Sequence, residues 1–210
     1  MANLEALLND LANLDAQHDL EGLHRVREQI VSDFPQSDAA VEAMYKLGLD
    51  ILFRRRDLNG AVAKFEEAAK RKHPFWSAAA RTSLGLCFYH QKRTQRALLE
   101  LRKVAYPEKP TQHSVTALVF LEQIYTTEGN RDEAKRIRKD RINQLEELIR
   151  QSRERGEPQE RGFHLYNLGI ALRDQGEEGR GRAVLEEAKA LGPSGLGADL
   201  YRSVVEALAS

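Results

Sequence analysis

Residues 44–53 read MYKLGLDILF and residues 81–90 read RTSLGLCFYH. The pair Leu47-Gly48 of the first segment recurs 37 residues later as Leu84-Gly85, after another 37 as Leu121-Glu122, and after 47 more as Leu168-Gly169. A recurring period of this length means stacked supersecondary units, each too small to bury its own apolar face. The surroundings of the pair recur too. In the second unit Met44, Leu47, Gly48 and Ile51 are followed by Ala61, Phe65 and Ala68; in the third, Leu84, Gly85 and Phe88 by Ala97, Leu101 and Val104. The fifth carries Leu165, Leu168, Gly169 and Leu172, then Gly181, Leu185 and Ala188. Small residues at these points permit close approach of two helix backbones. The fourth unit departs from this pattern: Leu118, Leu121, Tyr125, Ala134 and Ile137 fit, but Arg138 and Arg141 stand where apolar and small residues are usual.

Outward from these units, apolar residues fall three and four apart almost everywhere, and alternating runs bounded by turn residues are missing. That periodicity predicts an all-α chain. Breakers at Pro35, Asp57 to Gly60, His73-Pro74, Pro107 to Pro110, Gly129-Asn130, Gly156 to Pro158, Gly176 and Gly192 to Gly195 divide it into helices. Residues 131–155 lack proline and glycine, and Ala134, Ile137, Leu145, Leu148 and Ile149 form one stripe. They predict a single helix of roughly 37 Å that overhangs its neighbours. Residues 196–210, with Leu200, Tyr201, Val204, Val205 and Leu208 against a polar face, read as a C-terminal capping helix. The expected architecture is an α-solenoid of about five helix-turn-helix repeats over residues 1–195, with units near 4–35, 38–74, 76–110, 112–155 and 162–193.

The residues at these repeat positions resemble the tetratricopeptide repeat family. The segments FPQSDAAVEAMYKLG and GAVAKFEEAAK are also similar to bacterial repeat proteins of the cell envelope. The family resemblance implies that the first helix of each unit lines a concave face. Carried onto this sequence, it gives Tyr45, Leu49 and Leu52; Leu86, Tyr89 and His90; Val119 and Gln123; and Phe163, Tyr166, Ile170 and Arg173 as partner-binding positions. Family members that grip a C-terminal carboxylate place asparagine where this chain has Leu49, Leu86 and Ile170. The resemblance therefore implies a partly apolar groove, suited to a peptide or an amphipathic helix of another protein.

Composition narrows the function classes. Thirty-two Lys and Arg balance thirty-two Asp and Glu, which disfavours a protein that holds nucleic acid by bulk attraction. The charge is uneven: residues 71–141 carry 15 basic and 7 acidic side chains. RNA binding through this basic middle third, with Arg54 to Arg56 and Arg131 to Arg141, is therefore an alternative reading. Self-assembly through the helix at 131–155 is another, and leaves a homo-oligomer open. Cys87 is the only cysteine, so no intrachain disulfide or multi-cysteine metal site can form. The six histidines fall in no metal-binding spacing and are expected at the surface or at helix ends. No phosphate-cradling loop or nucleophile constellation is present. The expectation is a non-enzymatic scaffold or adaptor with no cofactor and no metal. The N-terminus lacks the basic start of an export signal and no apolar run approaches the roughly 20 residues of a membrane span, so a cytoplasmic protein without membrane insertion is expected.

Overall fold

A computed structural model describes residues 3–209. Among the described residues every regular element is a helix. They follow in pairs: α1 (Leu4–Ala16) and α2 (Leu20–Asp33), α3 (Asp38–Phe53) and α4 (Leu58–Ala69), α5 (Trp76–His90) and α6 (Thr94–Ala105). Next come α7 (Gln112–Thr127) and α8 (Arg131–Arg155), α9 (Pro158–Asp174) and α10 (Glu178–Ala190), then α11 (Gly192–Leu196) and α12 (Ala198–Ala209). The fold class is the all-α solenoid of helix hairpins.

Local chemistry sets where the helices begin. Asn3, Asp19, Ser37, Asp57 and Asn130 each accept a hydrogen bond from a backbone N–H in the first turn that follows. Thr111 and Ser114 form a reciprocal capping box at the start of α7, and Pro158 opens α9. Each such partner satisfies amide groups that a helix start leaves without an intrahelical acceptor. The helices that open each pair end in a common way, on a residue with left-handed backbone: His18, Arg56, Lys92, Gly129 and Gly176. The next residue then donates its N–H back into the helix it has left, as in Arg93 to the Phe88 carbonyl (2.8 Å) and Asn130 to that of Tyr125 (2.9 Å).

Glycine decides how closely a pair can close. A Cβ on Gly48 would lie 2.5 Å from the Phe65 ring, one on Gly85 2.5 Å from Leu101, and one on Gly169 2.6 Å from Leu185. The partner side chains are fully buried, so hydrogen is the only substituent these positions tolerate without displacing core.

The chain divides into two compact units, one ending at Val104 and the other beginning at Ala105. In the first, Ile30, Leu47, Phe65, Ala80 and Leu101 are among the residues with no more than 1% exposure. In the second, α8 is a 25-residue helix. Its apolar stripe does not project from the unit. Leu145, Leu148 and Ile149 lie in one core with Val115, Leu165, Leu172, Leu196 and Val204. The expected overhang is therefore covered, because α9, α11 and α12 continue the packing that α7 begins.

Two details at the C-terminus differ from the sequence expectation. The stretch from Gly192 to Gly195, read as a break, forms most of the five-residue α11, which inserts Leu196 beside Gly162. The capping helix accordingly starts at Ala198. No described helix is long and apolar enough to cross a membrane.

Candidate protein-binding surface

In the first unit the positions singled out from the sequence lie on α3 and α5, which pack against one another. Tyr45, Leu49 and Leu52 are half-buried on α3, Leu86 and Tyr89 are half-buried on α5, and His90 is exposed at the end of α5. The Tyr45 ring sits 5.9 Å from Phe65 and 5.5 Å from Trp76, so one of its faces belongs to the seam between the helices. Trp76 extends that aromatic group by an edge contact with Phe75 at 4.6 Å and receives Lys46 Nζ 5.5 Å from its centroid. This arrangement holds the Tyr45 and Trp76 rings in place.

A cleft of about 300 Å³ lies beside these residues, lined by Leu8, Leu11, Leu23, Arg27, Glu42 and Lys46 among others. None of the expected positions lines it. The repeat pattern does not reach it because the α1/α2 hairpin has no Leu-Gly pair, so the register of α1 could not be assigned. Its signal was the amphipathic spacing of Leu4, Leu7, Leu8, Leu11 and Leu14.

The second unit treats its expected positions less uniformly. Val119 is half-buried and Gln123 exposed on α7; Phe163 is 39% exposed on α9, its ring 5.9 Å from that of His164. Ile170 is half-buried, and Tyr166 packs against the core that holds Leu165 and Leu168. Arg173 is engaged inside the unit: Nη1 donates to the Ala207 carbonyl of α12 at 2.6 Å, and Nε lies 2.7 Å from Glu178.

Residues 45–113 match the family model described as tetratricopeptide repeat. Those residues, about a third of the chain, are a tetratricopeptide repeat segment. The fold of the chain is similar to that of PilW, a widely conserved type IV pilus biogenesis factor, at 16% identity and a TM-score of 0.56, covering 97% of this chain and 83% of that one. It is similar also to a Podosopora anserina putative kinesin light chain with nearly identical repeats (15% identity, TM-score 0.55, 91% and 95% covered). A MamA protein gives 17% identity and a TM-score of 0.51, with 88% of each chain covered. At such identities the likeness shows the fold alone. No curated protein matches the chain.

The fourth hairpin holds the chief polar feature that the sequence does not assemble. Glu122 occupies the position of Gly48, Gly85 and Gly169, and is 7% exposed. Its carboxylate lies 2.6 Å from Arg138 Nε and 3.2 Å from Arg141 Nη2. Arg138 stands where the other pairs have Phe65, Leu101 or Leu185, and Arg141 where they have Ala68, Val104 or Ala188. Burial pulls the Arg141 guanidinium below its usual pKa, while Glu122 and then Asp174 oppose that shift. Arg136 is likewise taken up, by Glu133 at 2.6 Å. Part of the basic run from Arg131 to Arg141 is therefore spent inside the hairpin.

The remaining reactive side chains serve packing. Cys87 is a buried free thiol whose pKa burial raises to about 11, which keeps it protonated and unreactive at neutral pH. His24 and His164 are buried at 5% and 2% exposure, contrary to the expectation of surface histidines. His24 Nδ1 lies 2.8 Å from Asp50 Oδ2 across the α2/α3 seam. A hydrogen-bonding partner on the facing helix is what makes this burial tolerable. Among the described residues no cluster of three His, Cys, Asp or Glu side chains is placed to hold a metal ion.

Proposed function

We propose that the protein is a non-enzymatic scaffold or adaptor that holds a peptide or an amphipathic helix of another protein against the first helices of its repeats. In the first unit the contacts would come from Tyr45, Leu49 and Leu52 on α3 and Leu86, Tyr89 and His90 on α5. In the second they would come from Val119 and Gln123 on α7 and Phe163, Tyr166 and Ile170 on α9. The observation that carries this reading is the combination on α3 and α5: apolar and aromatic side chains at recurring positions stay partly open to solvent, and the Tyr45 ring is braced against Phe65 and Trp76. Rigid aromatic and aliphatic groups of this kind are the usual anchors of helix-in-groove recognition. The tetratricopeptide family binds proteins in general, which agrees with this assignment. We take the cytoplasm as its compartment, which fractionation of native cells would test.

The test is capture from native extract by the intact chain and by a Leu49→Asp, Leu86→Asp variant, with circular dichroism on both. Retention of a specific protein by the intact chain, lost in a variant of unchanged helicity, supports the groove. Equal recovery by both overturns it. RNA binding is the weaker reading because Glu122 and Glu133 neutralise Arg138, Arg141 and Arg136. Self-assembly through α8 has little to stand on with Leu145 and Leu148 in the core.

A further inference from the structure

The turns α1/α2, α3/α4 and α5/α6 of the first unit share one backbone device, and the last two share a cationic chemistry. Their left-handed residues are His18 (φ 55°), Arg56 (φ 55°) and Lys92 (φ 60°). Glycine is the residue such a position favours, and the turns after α7 and α9 use it, at Gly129 and Gly176. Side chains kept against local conformational preference point to a role outside the turn. The three turns are neighbours. Arg54 Nη2 reaches Glu21 Oε1 at 2.7 Å, and Gln91 Nε2 donates to Asn59 Oδ1 at 2.9 Å.

Their outer surface is cationic and, at two places, apolar. Arg55, Arg56, Lys92, Arg93 and Arg96 are all exposed. Asp50 holds Arg54 and lies 3.9 Å from Arg55, whereas Arg56, Lys92, Arg93 and Arg96 pair with no described carboxylate. Arg93 and Arg96 instead lie over the Phe88 ring, 4.9 and 5.8 Å from its centroid. Of the nearby acids, Asp57 caps α4 and Glu21 is taken by Arg54. Phe53 is 71% exposed beside this arginine run, and Leu20 is 49% exposed two residues after His18. These groups stand on turn tips, so they suit a flat, negatively charged partner.

We infer that this edge adsorbs to an anionic lipid surface, with the cations at the headgroups and Phe53 and Leu20 entering the interfacial layer. Phe53, Arg56 and Lys92 are not among the positions assigned to the groove, so the two assignments are tested separately. The test uses vesicles of phosphatidylcholine with and without about 30% phosphatidylserine, a charged fraction that gives a membrane its attractive surface potential. The key variant is Arg56→Gly, Lys92→Gly, which removes two charges and puts glycine at two left-handed positions, with thermal melting run beside it to show that the fold is kept. Each cation near a charged bilayer is worth about fivefold in partitioning, so the double variant should bind roughly 25-fold more weakly. Phe53→Ser should also reduce binding, and raising salt should release the intact protein. Equal binding to uncharged vesicles, no binding at low salt, or unchanged binding by the double variant would each overturn the inference. Capture of a single-stranded RNA in place of vesicles would overturn it too, and would give the edge to nucleic acid.

Discussion

Two kinds of hairpin coexist in one chain. Three pairs close on a glycine under a large apolar side chain: Gly48 under Phe65, Gly85 under Leu101 and Gly169 under Leu185. The α7/α8 pair closes on Glu122, Arg138 and Arg141. The backbone does the same thing in both, down to the left-handed turn residue. The difference teaches that a repeat position specifies a volume and a set of partners rather than a residue type. A carboxylate can replace hydrogen where the facing leucine and alanine have become arginines, one hydrogen-bonded to it and the other 3.2 Å away.

The largest effect should come from breaking the ionic version by half. Glu122→Ala leaves two largely buried guanidinium groups without their shared carboxylate and should cost about 3 kcal/mol or more in urea unfolding. The triple replacement Glu122→Gly, Arg138→Leu, Arg141→Ala converts the pair to the glycine type. It should match or exceed the original stability, since apolar packing often equals a buried ion cluster. A triple variant as unstable as the single one would mean that the α7/α8 backbone is spaced differently from the others.

The complementary break is Gly85→Val, which drives a branched side chain into Leu101 and should cost about 2–3 kcal/mol by overpacking. Thermal melting reads it directly.

A smaller effect follows from unequal polar burial. His24 has Asp50 as a partner, while His164 Nδ1 has no hydrogen-bond partner among the described residues. Burial, with a lesser push from Arg155, lowers His164 to about 4. The folded protein therefore keeps this ring neutral over a range where the unfolded chain takes up a proton. Stability from this residue is complete above about pH 6.5 and is lost as the pH falls toward 4, by on the order of 1–2 kcal/mol after allowing for solvent screening. Urea midpoints across that range should lose this part of their slope in His164→Phe.

The smallest effect is the most direct comparison of the turns. Arg56→Gly and Lys92→Gly place in the first unit the residue type the second unit already uses, and each should shift stability by under about 1 kcal/mol. A melting point lowered by several degrees would show that these side chains hold the turns together themselves.

The sequence carried the helical class, the repeat period, the single helix at 131–155 and the departure at Arg138 and Arg141. Each of these is a local or periodic property: 3.6-residue spacing, missing breakers, and a glycine where two backbones meet. The register also named Leu49, Leu86 and their neighbours, since they follow from counting along a helix. It could not show that Tyr45 is braced by Trp76, that Arg173 is held by Ala207, or that α1 and α3 flank a cleft. Only the tertiary structure decided that the stripe of α8 is core, that His24 and His164 are buried, and that Glu122 with its two arginines forms one cluster. The physical reason is that burial and pairing belong to a side chain's neighbours on facing helices. A helical period states which residues share a face, and packing alone chooses what that face meets.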